Sequence, residues 1–405
     1  MTGRKLAWSL AVLEIAAVVV VLVLKRFDGL DLEVYLGGAK ALAEQGSPYD
    51  AWVPTTHQIL LPFTYTPFAA AAFWPGTLLP FAVTMKLVSI ASIVATGVVA
   101  YLYVATLNGS LTDASKVNGR AVAALVAIGA QLAGALLEPV RSTLGFGQIN
   151  ALLMVLAVLD VLLPGDRKRT KGLLIGVAAA IKLTPAVFVV YFLFRRDFRS
   201  AARVVAGFVA AGALLWLIRP SASVTYWTKL VFDAGRIGGV DYVGNQSLHG
   251  LTVRAGWPEF AWVLAALVVM ALVAVIIARA EPVLGLTACA LGGLLVSPIS
   301  WTHHWTWCVP ILVLAGWYAW RFDRAIRWVA AAVVAAGLAL FIVGPMWFAP
   351  RPAPSVGWWL ATESYELFGL VLLVLAAFAA PRLKAVNGTS RDAESVNVPF
   401  TDKVS

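Results

Sequence analysis

A chain of 405 residues that is 60% hydrophobic and only 13% charged, with mean hydropathy +0.84, is too apolar for a soluble enzyme, because ordinary globular chains carry about a quarter charged residues. The 31 Lys and Arg against 21 Asp and Glu give a net charge of +10, yet the basic residues sit in short clusters between apolar runs, which speaks for membrane topology and against nucleic acid. Two cysteines inside apolar stretches, Cys289 and Cys308, leave no disulfide framework and no Cys-based metal site, and four histidines leave little else for a metal. No protein-bound metal site and no cofactor are expected, and whether a divalent cation assists stays open.

A hydrocarbon core about 30 Å thick needs roughly 20 apolar residues per helix. Ten runs approach that length: Trp8–Leu24, Leu87–Thr106, Ala121–Leu137, Ile149–Leu163, Val204–Ile218, Phe260–Ala278, Val283–Val296, Trp305–Trp320, Trp328–Val343 and Tyr365–Ala380. The first follows Arg4 and Lys5 and precedes Lys25 and Arg26 rather than small residues, so it reads as an uncleaved helix with its N-terminus inside. The basic clusters Arg167–Lys171, Arg195–Arg203, Arg321–Arg327 and Arg382–Lys384 should all face the cytoplasm. The first two bracket Gly172–Phe194, about one span long, so that segment must go in and come back. Its break falls at Lys182-Leu183-Thr184-Pro185, where proline ends a helix and lysine needs protein or a wet cavity. Pro67–Val83, interrupted by Pro75 and Pro80, likewise dips rather than crosses.

Ten crossings put both termini in the cytoplasm and five polar segments outside: Phe27–Thr66, Glu138–Gln148, Arg219–Glu259, Ser297–His304 and Gly344–Thr362. Residues 1–384 then form one polytopic membrane domain, and 385–405, with Asn387-Gly388-Thr389-Ser390, a polar tail that reads as disordered.

In the first outer segment Asp31 fits two roles: a capping acid of an interfacial helix, or a general base tuned by partial burial. Glu33, Glu44 and Asp50 are rivals for the second. The turn Glu138–Asn150 gathers Arg141, whose planar fork suits a phosphate, with Gln148 and Asn150, whose amides suit sugar hydroxyls. Ser297–Trp305 places Trp301, His303, His304 and Trp305 at one membrane boundary. That is either an interfacial aromatic belt or a sugar site. The longest outer segment carries Asp233, Arg236, Asp241, Asn245, Gln246 and His249.

Asp31 with Tyr35, Leu61–Phe68 with Tyr65, Glu138–Asn150, Lys182–Pro185, Asn245–Ser247 and Ser297–Trp305 together resemble the GT-C glycosyltransferases of family 87. The pieces occur in the family's order over most of the chain. Thr66 departs from the pattern, standing where the family usually has a second proline. The resemblance implies an all-α integral membrane protein of GT-C type, with about 10 to 13 transmembrane or re-entrant helices and an outer catalytic loop. It also implies transfer of mannose from polyprenyl-phosphate-mannose to a lipid-linked mannan acceptor, a phosphatidylinositol mannoside or lipomannan, as an α-1,2 linkage. Some relatives transfer arabinofuranose instead, and a carrier of lipid-linked sugars is the alternative of a different class. By position Asp31 is the catalytic carboxylate, assisted by His303 and His304. Arg141, Lys182 and Arg236 are candidates for the donor phosphate, and Tyr35, Tyr65, Gln148, Asn150, Asn245, Gln246 and Trp301 for the sugar and acceptor. The expected partners are the lipid-linked donor, a glycolipid acceptor and the plasma-membrane bilayer.

Overall fold

A computed structural model describes residues 3–24, 27–50, 52–113, 115–163, 169–322 and 324–396. The chain is mostly helical. The helices are α1 (Gly3–Leu24), α2 (Leu30–Gln45), α3 (Pro67–Phe73), α4 (Phe81–Leu107), α5 (Val117–Gly134), α6 (Glu138–Phe146), α7 (Asn150–Leu162), α8 (Leu173–Ile181) and α9 (Phe188–Phe194). They continue with α10 (Phe198–Ile218), α11 (Pro220–Thr228), α12 (Leu248–Arg254), α13 (Glu259–Arg279), α14 (Pro282–Val296), α15 (Cys308–Arg321), α16 (Arg324–Val343), α17 (Val356–Thr362) and α18 (Ser364–Val396). The all-α expectation needs one correction among the described residues: Trp52–Pro54 pairs antiparallel with Leu60–Pro62.

Each of the ten apolar runs carries a helix. Five helices are long and apolar enough to cross a bilayer, or seven if the bent pairs α6 with α7 (113°) and α17 with α18 (80°) each count as one span. Trp8–Leu24, Thr184–Phe194 and Pro282–Val296 are apolar but shorter. The packing suits lipid rather than water. α13 buries Val269, Val273, Ile276 and Ile277 and turns Leu264, Leu267 and Val268 outward, an apolar surface that a water-soluble monomer rarely exposes. Lys25, Arg26, Arg167 and Lys168 of the basic clusters lie outside the described residues, as do 397–405 of the tail, whereas α18 continues past Lys384 to Val396.

The segment 172–194 doubles back, as its flanking charges require. A straight helix of that length would separate its ends by about 30 Å, but the Lys171 ammonium lies 5.7 Å from the Phe192 ring centre. α8 and α10 run side by side in the same direction. Gly172 meets the Ser200 carbonyl and Gly176 the Val204 carbonyl, at backbone separations where a Cβ would come within 2.5 Å. The starts of α8 and α10 and the end of α9 therefore share one level, with Arg195, Arg199 and Arg203 beside them.

At the opposite end the five polar segments converge. The amides of Asp28 and Gly29 donate to the Gly145 carbonyl, and Arg236 donates to the Phe63 carbonyl at 2.7 Å. The Gln246 amide donates to Ser300 O and that of Thr302 to Gly244 O. Gln246 Nε2 donates to Thr362 O at 2.8 Å, which ties in the last segment. These bonds tie backbone irregular enough to be costly in lipid into a single polar cap.

Candidate active site

Asp31 lies in the first turn of α2, two places beyond the cap. The N-cap is Gly29, in the left-handed region at φ 72°, and Asp28 instead accepts the Leu30 amide. Freed from capping, Asp31 points to a different partner: Gln148 Nε2 donates to its Oδ2 at 2.8 Å. No donor reaches its other oxygen among the described residues. Burial pushes its pKa up to about 6, opposed by the Gln148 hydrogen bond and the Lys182 charge and assisted by Asp28.

Gln148 reaches Asp31 because the chain bends sharply there. Pro139 sits in the first turn of α6, where its missing N–H is no loss, and Gly147 ends the helix at φ 70°. A Cβ on Gly147 would lie 2.8 Å from Leu32 and 2.9 Å from Met85, so the bend needs glycine both for φ and for space. What reads in the sequence as a turn is thus a nine-residue helix meeting α7 at 113°. Tyr35 follows Asp31 by one helical turn, and its hydroxyl lies 2.7 Å from that of Tyr65, which donates on to Gln148 Oε1 at 3.4 Å.

Lys182 stands where α8 stops. The break leaves carbonyls without helical donors, and the Thr66 hydroxyl donates to those of Ala180 and Ile181 while its oxygen caps α3 by accepting from Ala69. Threonine at the position where the family pattern has proline therefore has a structural use. Lys182 Nζ donates to Asn150 Oδ1 at 2.9 Å, lies 3.0 Å from His304 Nε2 and is 5.4 Å from the Tyr65 ring centre. Asn150 Nδ2 and Thr143 Oγ1 both donate to the His303 carbonyl at 2.8 Å, which fixes the 3-10 turn Thr302–Trp307. Burial followed by the Lys182 charge holds both imidazoles well below their ordinary pKa, hence neutral. His303 Nε2 and His304 Nδ1 are buried without any hydrogen-bond partner among the described residues. Two such orphans beside one buried lysine are unusual in a folded protein.

One cluster thus unites Asp31, Tyr35, Tyr65, Gln148, Asn150, Lys182, His303 and His304. Five other candidate residues lie elsewhere. Arg141 donates to the Leu136 and Ile342 carbonyls. Arg236 sits behind Tyr65, on the Phe63 carbonyl and 5.6 Å from the Tyr49 ring. Asn245 and Gln246 are fully buried, with their amides committed to backbone: Asn245 binds Val240, Pro298 and Ser300, and Gln246 binds Val243, Thr362 and Tyr365. Trp301 faces a neighbouring cleft. Among the described residues no three His, Cys, Asp or Glu side chains group as metal ligands would.

Two buried acid centres were not singled out by the sequence. Glu138 accepts from Ser142, Thr302 and Trp347 through one oxygen and from Tyr365 through the other. Arg254 is clamped by Glu363 and Glu366. Glu138 had a signal, being an acid directly before proline at the end of an apolar run.

The sequence model of glycosyltransferase family 87 matches residues 63–298. The chain is 35% identical to the polyprenol-phosphate-mannose-dependent alpha-(1-2)-phosphatidylinositol mannoside mannosyltransferase of Mycolicibacterium smegmatis, covering 92% of this chain and 88% of that one. It is 34% identical to the polyprenol-phosphate-mannose-dependent alpha-(1-2)-phosphatidylinositol pentamannoside mannosyltransferase of Mycobacterium tuberculosis, covering 86% and 79%. The chain belongs to glycosyltransferase family 87.

Proposed function

We propose that the chain moves mannose from polyprenyl-phosphate-mannose to a phosphatidylinositol mannoside type of glycolipid, forming an α-1,2 linkage with inversion. The observation that carries the proposal is Asp31: a half-buried carboxylate with one oxygen free, its pKa raised to about 6, beside the Lys182 ammonium and two unpartnered imidazole nitrogens. In a single displacement the free Asp31 oxygen takes the proton of the acceptor hydroxyl as that oxygen attacks the anomeric carbon. The bond to the donor phosphate breaks, and Lys182 holds the departing anion in a site of low polarity where its charge counts most. His303 and His304 offer their unpartnered nitrogens to sugar hydroxyls, with Tyr35, Tyr65, Gln148 and Asn150 around them.

Lys182 is preferred to Arg141 and Arg236 as phosphate holder because those two guanidiniums are engaged with carbonyls outside the cluster. A small cavity of about 60 Å³ runs from Asn150 and His304 past Pro185, Val187 and Phe188 to Leu294. Its polar end and apolar walls suit a phosphate joined to a prenyl chain. The architecture we propose is of GT-C type, with ten crossings, both termini in the cytoplasm and the cluster on the outer face of the plasma membrane. The test is label transfer from polyprenyl-phosphate-mannose to endogenous glycolipids in membranes carrying the protein. Label in a mild-acid-labile, prenyl-linked pool alone, with no glycolipid product, would contradict the proposal.

A further inference from the structure

A second and larger cleft, about 840 Å³, opens in the same polar cap. It lies between the loop 238–243, the end of α12 and the segment 350–353, with Trp301 and Trp359 in its walls. Its chemistry differs from that of the cavity beside Asn150 and His304. Three aromatic faces line it, those of Tyr242, Trp301 and Trp359. The Tyr242 hydroxyl and both indole N–H groups have no hydrogen-bond partner among the described residues. Among the described residues no hydrogen bond reaches the Asp241 carboxylate, and no carboxylate pairs with the Arg351 guanidinium, which lies 6.0 Å from the Tyr242 ring centre. One negative and one positive side chain at the rim leave no net charge to select an anion. Flat apolar faces carrying donors at their edges suit a neutral polyol ring, which presents C–H groups on its faces and hydroxyls around its rim.

The walls are held in place. Arg254 forms the floor, bound to Glu363 and Glu366 and donating to the carbonyls of Tyr242 and Asn245 at 3.2 and 2.9 Å. Tyr242 and Trp301 meet edge to face at 5.7 Å. Gly238, at φ 143°, lies so close to Trp301 that a Cβ would be 2.8 Å from the indole, so the ring has one resting place. A preformed site of this kind loses little freedom when it binds.

Trp301 also fixes where the cleft stands. Consecutive Cα atoms are about 3.8 Å apart, so Trp301 is no more than about 8 Å from His303, whose neighbour His304 meets Lys182. The cleft therefore opens within a short run of sugar rings from Asp31.

We propose that this cleft is a distal glycan subsite, which holds the sugars of the acceptor that do not react and thereby selects acceptors by length. The inference rests on the transferase reading above, and it assigns the donor to the cavity beside Asn150 and His304 and the acceptor's remaining sugars to the Trp301 cleft. Binding energy from such remote contacts positions the reacting hydroxyl without touching it.

The test uses the full-length protein in nanodiscs with two probes, octyl α-mannoside and an octyl α-linked tetramannoside, and the variants Arg351→Ala and Trp359→Ala. Both variants are expected to raise KM for the tetramannoside about tenfold, with KM for the monosaccharide probe and for the donor unchanged. Equal effects on both probes, or none on either, overturn the proposal. Direct calorimetric binding of the tetramannoside, without donor, separates this inference from the transferase reading. Wild-type binding that is lost in both variants supports the subsite even if no transfer occurs. Binding that is absent from the wild type, or retained in both variants, overturns the subsite even if transfer is robust.

Discussion

Lys182 Nζ lies 3.0 Å from His304 Nε2, and because an ammonium has only hydrogens to offer, the imidazole accepts there and carries its own hydrogen on Nδ1. That Nδ1–H is the buried group left without a partner. The lysine thus sets the tautomer of the histidine and aims a donor into the site, while its own charge faces Asp31.

Replacing Lys182 by methionine removes both effects. Lys182→Met is expected to lower kcat/KM for the lipid-linked donor by about 10², the scale of a lost electrostatic contact in a closed site, with the acceptor KM little changed. Arginine there should rescue in part, since its fork has a different reach. Unchanged donor kinetics in the methionine variant would move the phosphate to Arg141 or Arg236.

The pH profile tests the environment of Asp31. A base acts only as the carboxylate, so a pKa raised to about 6 means that kcat/KM falls as pH drops through about 6. Gln148→Leu removes the hydrogen bond that opposes the rise, and the acid limb should move to higher pH. An unmoved limb in that variant would mean that a different group titrates.

Much of the cluster was legible because each member breaks a local pattern. Lys182 interrupts an apolar segment beside Pro185, and His303-His304 sits between two apolar runs. Asp31 heads the first polar segment. Other features depended on contacts no local pattern carries. Glu363 and Glu366 gain meaning only from Arg254, more than a hundred residues earlier. Asn245 and Gln246 look like ligand amides in sequence, and only the folded backbone reveals that carbonyls and amides take up their hydrogen bonds. α6 escaped notice because nine residues are too few for a helical period to stand out against proline and glycine.

Glu138 is expected to act on stability. Four donors converge on its two oxygens, and Glu138→Ala leaves the buried ones among them unpaired. A loss of about 2 kcal/mol or more follows, visible as a lower thermal midpoint in detergent. A midpoint equal to wild type would mean that water replaces the carboxylate.

Topology is open to thiol labelling, since Cys289 and Cys308 are both buried and give little background. Thr56→Cys and Ser355→Cys, on exposed parts of the polar cap, should react with an impermeant reagent in intact cells. Thr170→Cys, near the start of α8, should react only after permeabilisation. The reverse pattern would put the cluster on the cytoplasmic face.

The most direct measurement is mannosyl transfer by Asp31→Asn, which keeps the size of the side chain and removes its capacity to take a proton. With expression and membrane insertion equal to wild type, transfer from polyprenyl-phosphate-mannose to glycolipid is expected to fall by about 10² or more, the scale of a lost general base. Near-normal turnover in that variant would contradict the assignment of Asp31 as the base.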